Sequence, residues 1–207
     1  MGARHPVDAL HAGYVAPRRV RVLSRHLSAL IPAGSRVLDI GCGDGSLAWL
    51  LMQQRPDLRI EGVDVLARSV SRIPIRLFDG VTLPCETGSV DVALLVDTVH
   101  HAEHPVRLLR EAARVARRAV VLKDHLREGW LAGPTLRFMD RVGNARHGVA
   151  VPGRYWSTRE WHAAFDSCGL SVELWNQRLG LYPWPANWLF ERSLHVLARL
   201  SVRHQAP

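Results

Sequence analysis

Three glycines at alternate positions, Gly41, Gly43 and Gly45, are interleaved with Cys42 and Asp44 and follow an apolar run ending in Asp39-Ile40. A helical pattern begins at Ser46 and lasts to about Gln53, so the glycines sit where a strand has to turn into a helix. Glycine reaches positive φ without a Cβ clash and lets backbone N–H groups approach a ligand closely, as a cofactor-binding turn requires. A dinucleotide fingerprint would carry its third glycine one position later, and a phosphate loop would continue into Gly-Lys-Ser or Gly-Lys-Thr. Neither pattern is present. Asp39 and Asp44 would repel a diphosphate, whereas they suit a ligand bearing an ammonium and a sulfonium.

Further acids and bases stand at the ends of later apolar runs. Leu58 to Val63 ends in Asp64, where a carboxylate can accept hydrogen bonds from ribose hydroxyls; Glu61, inside the run, is the weaker candidate. Ile75 to Phe78 precedes Asp79-Gly80, Val90 to Val96 precedes Asp97-Thr98-Val99-His100-His101, and Ala119 to Leu122 precedes Lys123-Asp124-His125. Lys123 is the only lysine in the chain. Open α/β sheets bind ligands beyond the carboxyl ends of their strands, so these residues define a polar rim. His100 is a candidate general base, since histidine titrates nearest neutrality, and Lys123, Asp124 and His125 are candidates to bind or activate a substrate. Structural roles compete with each: an Asx-turn at Asp79, one packed and one exposed histidine at His100-His101, loop caps at the Lys123 triplet.

The strand followed by Asp39-x-Gly41-x-Gly43-x-Gly45, with Asp64, Asp79 and the His100-His101 segment after it in order, resembles the class I S-adenosylmethionine (SAM) dependent methyltransferases over roughly Arg36 to Arg199. The His-His form after the fourth strand looks like the small-molecule, type-11 methyltransferase domain branch; the Asn/Asp-Pro-Pro-Tyr signature of amino-directed enzymes is absent. Pro84-Cys85 precedes the fourth strand, whereas the attacking Pro-Cys of cytosine-carbon methyltransferases follows it, so Cys85 reads as a loop cysteine. The resemblance implies that Asp39, Gly41, Cys42, Gly43, Asp44 and Gly45 surround SAM, with Asp64 on the ribose, Asp79 and Gly80 at the adenine, and Asp97 at the end of the fourth strand. It also implies methyl transfer to oxygen, nitrogen or carbon of a small-molecule acceptor, leaving S-adenosylhomocysteine. An RNA or protein methyltransferase and a non-catalytic SAM-binding protein are the rivals. No metal is expected, because His100, Asp124 and His125 could form a set only by converging in space.

The elements that must position these residues follow from periodicity and punctuation. The fold that the resemblance implies is α/β, a Rossmann-like, seven-stranded, mostly parallel sheet with helices on both faces and the last strand antiparallel. A helix from Arg18 to Leu30, opened by Pro17, precedes the first strand, and residues 1–34 read as a helical cap on a single methyltransferase domain at 35–207. A short helix is expected near Ala67 to Ser71, and another from Pro105 to about Arg117. Residues 126–156 read as an acceptor lid with a helix from Pro134 to Val142 and a polar turn from Gly143 to Gly148. Ser157-x-x-Glu160 is a capping box for a helix to Cys168, stopped by Gly169. Strands from Val172 to Gln177 and Leu194 to Leu200 flank an aromatic loop at Leu181 to Trp188.

Composition narrows the function classes. The chain has 207 residues, enough for one domain with a full core, and no apolar run of membrane-spanning length, so no membrane span is expected and a cytoplasmic location is. Three scattered cysteines fit free thiols in a reducing compartment. The net charge of +8 raises nucleic acid as a partner, but arginines 107, 110, 114 and 117, like 18, 19, 21 and 25, recur at the spacing of a solvated helix face. No aromatic-interleaved basic strand is present, which places nucleic acid behind a small molecule. Oligomeric state is not legible.

Overall fold

The computed structural model describes residues 16–144 and 154–203. Helix α1 (Ala16–Leu30) leads into β1 (Arg36–Ile40), α2 (Ser46–Gln54), β2 (Arg59–Asp64), β3 (Ile75–Leu77) and β4 (Val90–Val96). A 3-10 turn at Val99–His101 precedes α3 (Pro105–Val115), β5 (Ala116–His125), α4 (Ala132–Asn144), α5 (Thr158–Ser167), β6 (Leu170–Asn176), α6 (Ala186–Phe190) and β7 (His195–Val202). The strands form one seven-stranded sheet in the order β3-β2-β1-β4-β5-β7-β6. All pairs are parallel except those of β7, which lies antiparallel between β5 and β6. This is the expected Rossmann-like, mostly parallel sheet with its last strand antiparallel.

Strand alternation divides the core. Leu38, Ile40, Ala93, Leu95, Val120 and Leu122 face α3 and α5, which contribute Leu108, Leu109, Ala112, Trp161 and Phe165. Val37, Val92, Leu94 and Val121 face the opposite side, where α1 supplies Leu23 and Leu27 and α2 supplies Ala48 and Leu51. Helices therefore cover both faces, and a central strand such as β4 is apolar from Val92 to Val96 because neither face meets water there. The polar residues collect at the carboxyl ends of β1, β4 and β5, most of them buried.

Three local expectations need correction. No helix forms at Ala67 to Ser71; the chain from Val65 to Pro74 runs in bends, with Ile73 as the one buried apolar anchor and Pro74 closing the segment before β3. Strand β5 starts earlier and ends later than Ala119 to Leu122, so Lys123, Asp124 and His125 lie inside it, paired with Leu197, Val196 and His195 of β7. Arg117 accordingly belongs to β5, not to α3. The helix of the 126–156 segment reaches Asn144, which takes Gly143 and Asn144 out of the expected turn. The remainder of that turn lies outside the described residues, as do residues 1–15 of the expected cap. Within the segment, Ala132 and Leu136 of α4 pack with Tyr155 and Leu194, tying it to the start of β7.

Helix α5 opens on the capping box read from the sequence: Ser157 Oγ accepts from Glu160 N at 3.4 Å, and Ser157 N donates to Glu160 Oε2 at 2.7 Å. Replacing Ser157 with Ala removes that cap and should lower unfolding stability by about 1 kcal/mol in urea titrations, with SAM affinity unchanged. An unaltered midpoint would mean that the packing of Trp161 alone fixes the helix end.

Candidate active site

The glycine turn is built as the spacing predicts. Gly41, Gly43 and Gly45 have φ of 73°, 60° and 74°. A Cβ on Gly41 would stand 2.5 Å from Thr98 Cγ2 and one on Gly45 2.5 Å from Ile73 Cγ1, whereas one on Gly43 would meet nothing within 4 Å. Two glycines are thus required by packing as well as by conformation, and Gly43 borders open space. The turn is tied to β2 by Gly41 N and Cys42 N, which donate to Val63 O at 2.8 and 3.2 Å. Asp64 braces it further, its Oδ2 accepting from Gly43 N at 2.8 Å and its Oδ1 from Leu66 N at 2.9 Å.

The other turn residues have local duties. Asp44 accepts from Ser46 N at 3.0 Å and from Ser46 Oγ at 2.7 Å, capping the first turn of α2. Cys42 turns its sulfur under β2, since a Cβ on Gly62 would lie 2.4 Å from Sγ, and burial beside Asp39 and Asp64 pushes the thiol up to about 12. Asp39 is 3% exposed, and burial together with the Asp64 carboxylate pushes its pKa up to about 7. Asp79 makes the Asx-turn weighed above, accepting from Val81 N at 2.8 Å and Thr82 N at 2.7 Å. Gly80 follows at φ 79°.

Thr98, which abuts Gly41, joins this turn to the polar rim. Its hydroxyl lies 3.0 Å from Ile40 O and 3.0 Å from Val96 O, so the end of β4 is stitched to the end of β1. On one side of it Asp97, at φ 52°, takes the Lys123 ammonium and lies 3.4 Å from an Arg19 nitrogen and 3.9 Å from His125 Nε2. Burial would raise Asp97, but these cations hold it well below the usual carboxylate range. Lys123, fully buried on this carboxylate, does not present its ammonium to open space as the sequence suggested.

On the other side of Thr98, His100 and Asp124 are buried together. Asp124 Oδ1 lies 2.5 Å from His100 Nδ1, and the same carboxylate accepts from Val99 N at 2.9 Å and His125 N at 2.6 Å. Burial opposes the imidazolium, yet Asp124, with Asp140 and Asp97 behind it, raises the pKa of His100. For His125, burial and the nearby Lys123 and His100 charges outweigh Asp140 and lower the pKa. Asp140, from α4, stands over both rings, with Oδ1 3.2 Å from His125 Nε2 and Oδ2 3.5 Å from His100 Nε2, and it accepts from the Tyr155 hydroxyl.

The structure therefore gathers His100, Lys123, Asp124, His125 and Asp97 at one place and sets the glycine turn beside them; Asp79 and Gly80 lie apart, after β3. Five residues in or beside this cluster were missed or assigned elsewhere. Asp140 occupies the apolar face of its helix one turn after Leu136, and a lone acid in that position is the signal that could have marked it. Arg19 was assigned to a solvated face but reaches Asp97, and Arg18 donates to Gly180 O at 3.3 Å. Tyr155 and His195, both buried, carry no local pattern that announces them.

Comparison with known proteins adds to this geometry. Residues 13–174 match the family described as a methyltransferase domain. A segment of 110 residues is 31% identical to the 27-O-demethylrifamycin SV methyltransferase of Amycolatopsis mediterranei, covering 46% of this chain and 40% of that protein. A segment of 168 residues is 30% identical to a trans-aconitate 2-methyltransferase of Methylobacterium nodulans, covering 72% of this chain and 63% of that one. The chain thus spans less than two thirds of the length of either relative. In three dimensions it is similar to the methyltransferase solved with the Trm112 activator of Haloferax volcanii, with a TM-score of 0.68 over 99% of this chain and 100% of that one at 19% identity, a likeness of fold.

The environment of Asp39 gives a signed pH prediction. Unfolded, its carboxyl loses the proton near 3.8; folded, it keeps it to about 7, so folding takes up a proton across that window and stability falls as pH rises through it. A bound cation would favour the ionised form, so the rise in thermal midpoint given by SAM should be larger at about pH 8 than at about pH 5.5, and Asp39→Asn should flatten the difference. A pH-independent rise would remove Asp39 from the ligand's surroundings. Gly43→Val, which strains a positive φ and fills the open approach, should abolish SAM binding in calorimetry while the fold persists.

Proposed function

The chain belongs to the methyltransferase domain family, and we propose that it transfers the SAM methyl group to a hydroxyl oxygen of a small-molecule acceptor seated between the glycine turn and the His100, His125 and Asp140 side chains. The observation that carries this reading is the buried His100–Asp124 pair, whose second ring nitrogen, Nε2, has no hydrogen-bond partner and stands within two residues of the Thr98 contact to Gly41. An arrangement that commits a buried carboxylate to orienting one imidazole suits an acceptor that has to give up a proton. The name of the rifamycin relative, which puts the methyl group on oxygen, supports the same choice.

The sulfonium is already activated, so the protein's tasks are geometric and acid–base. In this reading Gly43 gives the cofactor its approach, Asp64 and Asp39 supply carboxylates near the ribose and the ammonium, and α4 closes the acceptor side through Asp140. The acceptor's O–H proton passes to His100 Nε2, an oxygen lone pair attacks the methyl carbon in line, and the carbon–sulfur bond breaks with its electron pair left on sulfur, giving the methyl ether and S-adenosylhomocysteine with a neutral thioether. Holding oxygen, carbon and sulfur in line supplies much of the acceleration, and the polar rim deals with the proton.

The test uses SAM labelled on its methyl group, offered to the full chain with a panel of hydroxylated small molecules and, separately, RNA and protein. Label should enter a small molecule as an alkali-stable ether. His100→Ala should lower that rate by about a hundredfold or more while calorimetric SAM affinity stays within about twofold. Label recovered in RNA or protein would replace the acceptor class, and tight SAM binding with no transfer to any acceptor would make the chain a binding protein.

A further inference from the structure

Asp124 takes the N–H of the His100 ring at Nδ1, and the second ring nitrogen, Nε2, faces a carboxylate, Asp140 Oδ2, 3.5 Å away, so the pair needs a positive charge between them, a proton or a metal ion. His100 is 2% exposed, and its Nε2 makes no hydrogen bond to another protein group. His125 Nε2 addresses the same carboxylate from 3.2 Å, and Asp97 Oδ1 lies 3.9 Å from His125 Nε2. Asp97, His100 and His125 each offer a ligand atom within 4.8 Å of the others. Atoms bound to one ion at about 2.0–2.2 Å stand roughly 3–3.6 Å apart, close to the separations about Asp140.

We propose that His100 Nε2, His125 Nε2 and Asp140, with Asp97 as a fourth donor, hold a first-row divalent transition-metal ion. Two imidazoles with carboxylates suit zinc, iron(II) or manganese(II), whereas magnesium and calcium favour all-oxygen sets. The outer contacts are those of a supported site. Asp124 fixes the His100 tautomer, Tyr155 donates to Asp140, and Lys123 and Arg19 anchor Asp97. Three carboxylates, the partly exposed Asp97 and the buried Asp124 and Asp140, face the Lys123 ammonium and the Arg19 guanidinium, which leaves the rim anionic when both imidazoles are neutral. Asp124, grouped with the two histidines in the sequence reading, stands behind the ligands and not among them.

The role of the ion rests on the methyl-transfer reading above. Held by these residues, an ion would supply the Lewis acidity that lowers the pKa of an acceptor hydroxyl beside it. His100 then serves as a ligand, not as the base expected from the sequence. Because Asp140 comes from α4 and the histidines come from the sheet side, the ion also closes the segment over the rim.

The test is direct metal binding by the full chain after chelator treatment, with zinc and then manganese titrated calorimetrically and bound metal counted by mass spectrometry. About one ion per chain is expected, with a rise in thermal midpoint. His100→Ala and Asp140→Asn should lose it, the conservative Asp124→Asn should weaken it by about 10- to 100-fold, and His104→Ala, at an exposed position, should retain it. Cobalt should give visible bands that disappear in Asp140→Asn. No stoichiometric uptake by the parent, or uptake undiminished in both ligand variants, overturns the proposal and leaves a proton as the cation between His100 and Asp140. S-adenosylhomocysteine titrated into the same samples separates the two readings: its binding without metal uptake sinks only the metal, and metal uptake without its binding sinks the methyl-transfer reading.

Discussion

Two carboxylates, Asp124 and Asp140, are buried at one end of the sheet beside the partly exposed Asp97, and each buried charge must be compensated or the fold could not keep it there. The compensation comes from four separate elements. Arg19 arrives from α1, His100 from the turn after β4, Lys123 and His125 from β5, and Tyr155 from the segment ahead of α5. A cluster satisfied from so many directions holds those elements in register. Removing one partner would leave a buried charge exposed to a low-dielectric surrounding, which costs far more than a surface ion pair returns. Packing alone could close this end of the sheet more cheaply, and a buried cluster of titratable groups is the kind of place where functional sites are sought.

The alternation of β5 explains how neighbours serve different ends. Lys123 points to the α1 face and meets Asp97, while Asp124 points to the α3 face and meets His100. Read as a string, Lys123-Asp124-His125 suggested one polar tip projecting together into open space. In the sheet the strand continues through all three residues, and β7 pairs with each of them. What gathers their functions is the wrap of the Val99–His101 turn and of α4 around the strand end.

Much of the cofactor half was legible because it is local. Alternate glycines, a strand before them and a helix after them specify one turn, and the positive φ at Gly41, Gly43 and Gly45 is what such spacing exists to permit. The capping box at Ser157 and the run of β4 were legible for the same reason. The polar rim was legible only in part. His100 and the Lys123 triplet could be singled out by type and position, but their partners are distant in sequence, and Asp140 approaches from a helix whose place over the sheet is decided by Leu136, Tyr155 and Leu194. The missing helix after β2 has a simpler cause: Val65 to Pro74 offers one buried anchor, Ile73, and no apolar face for a helix to bury.

The central claim is that the glycine turn and the His100, His125 and Asp140 side chains form one site that brings SAM's sulfur and an acceptor face to face. A crystal structure of the protein with S-adenosylhomocysteine bound tests it most directly. The account predicts the amino-acid end of the ligand at Gly41 to Gly45, its ribose at Asp64, and its sulfur turned toward His100 and Asp140 with room between them for an acceptor oxygen. A ligand seated elsewhere, or a sulfur turned toward closed apolar packing with the histidines behind it, would contradict the account.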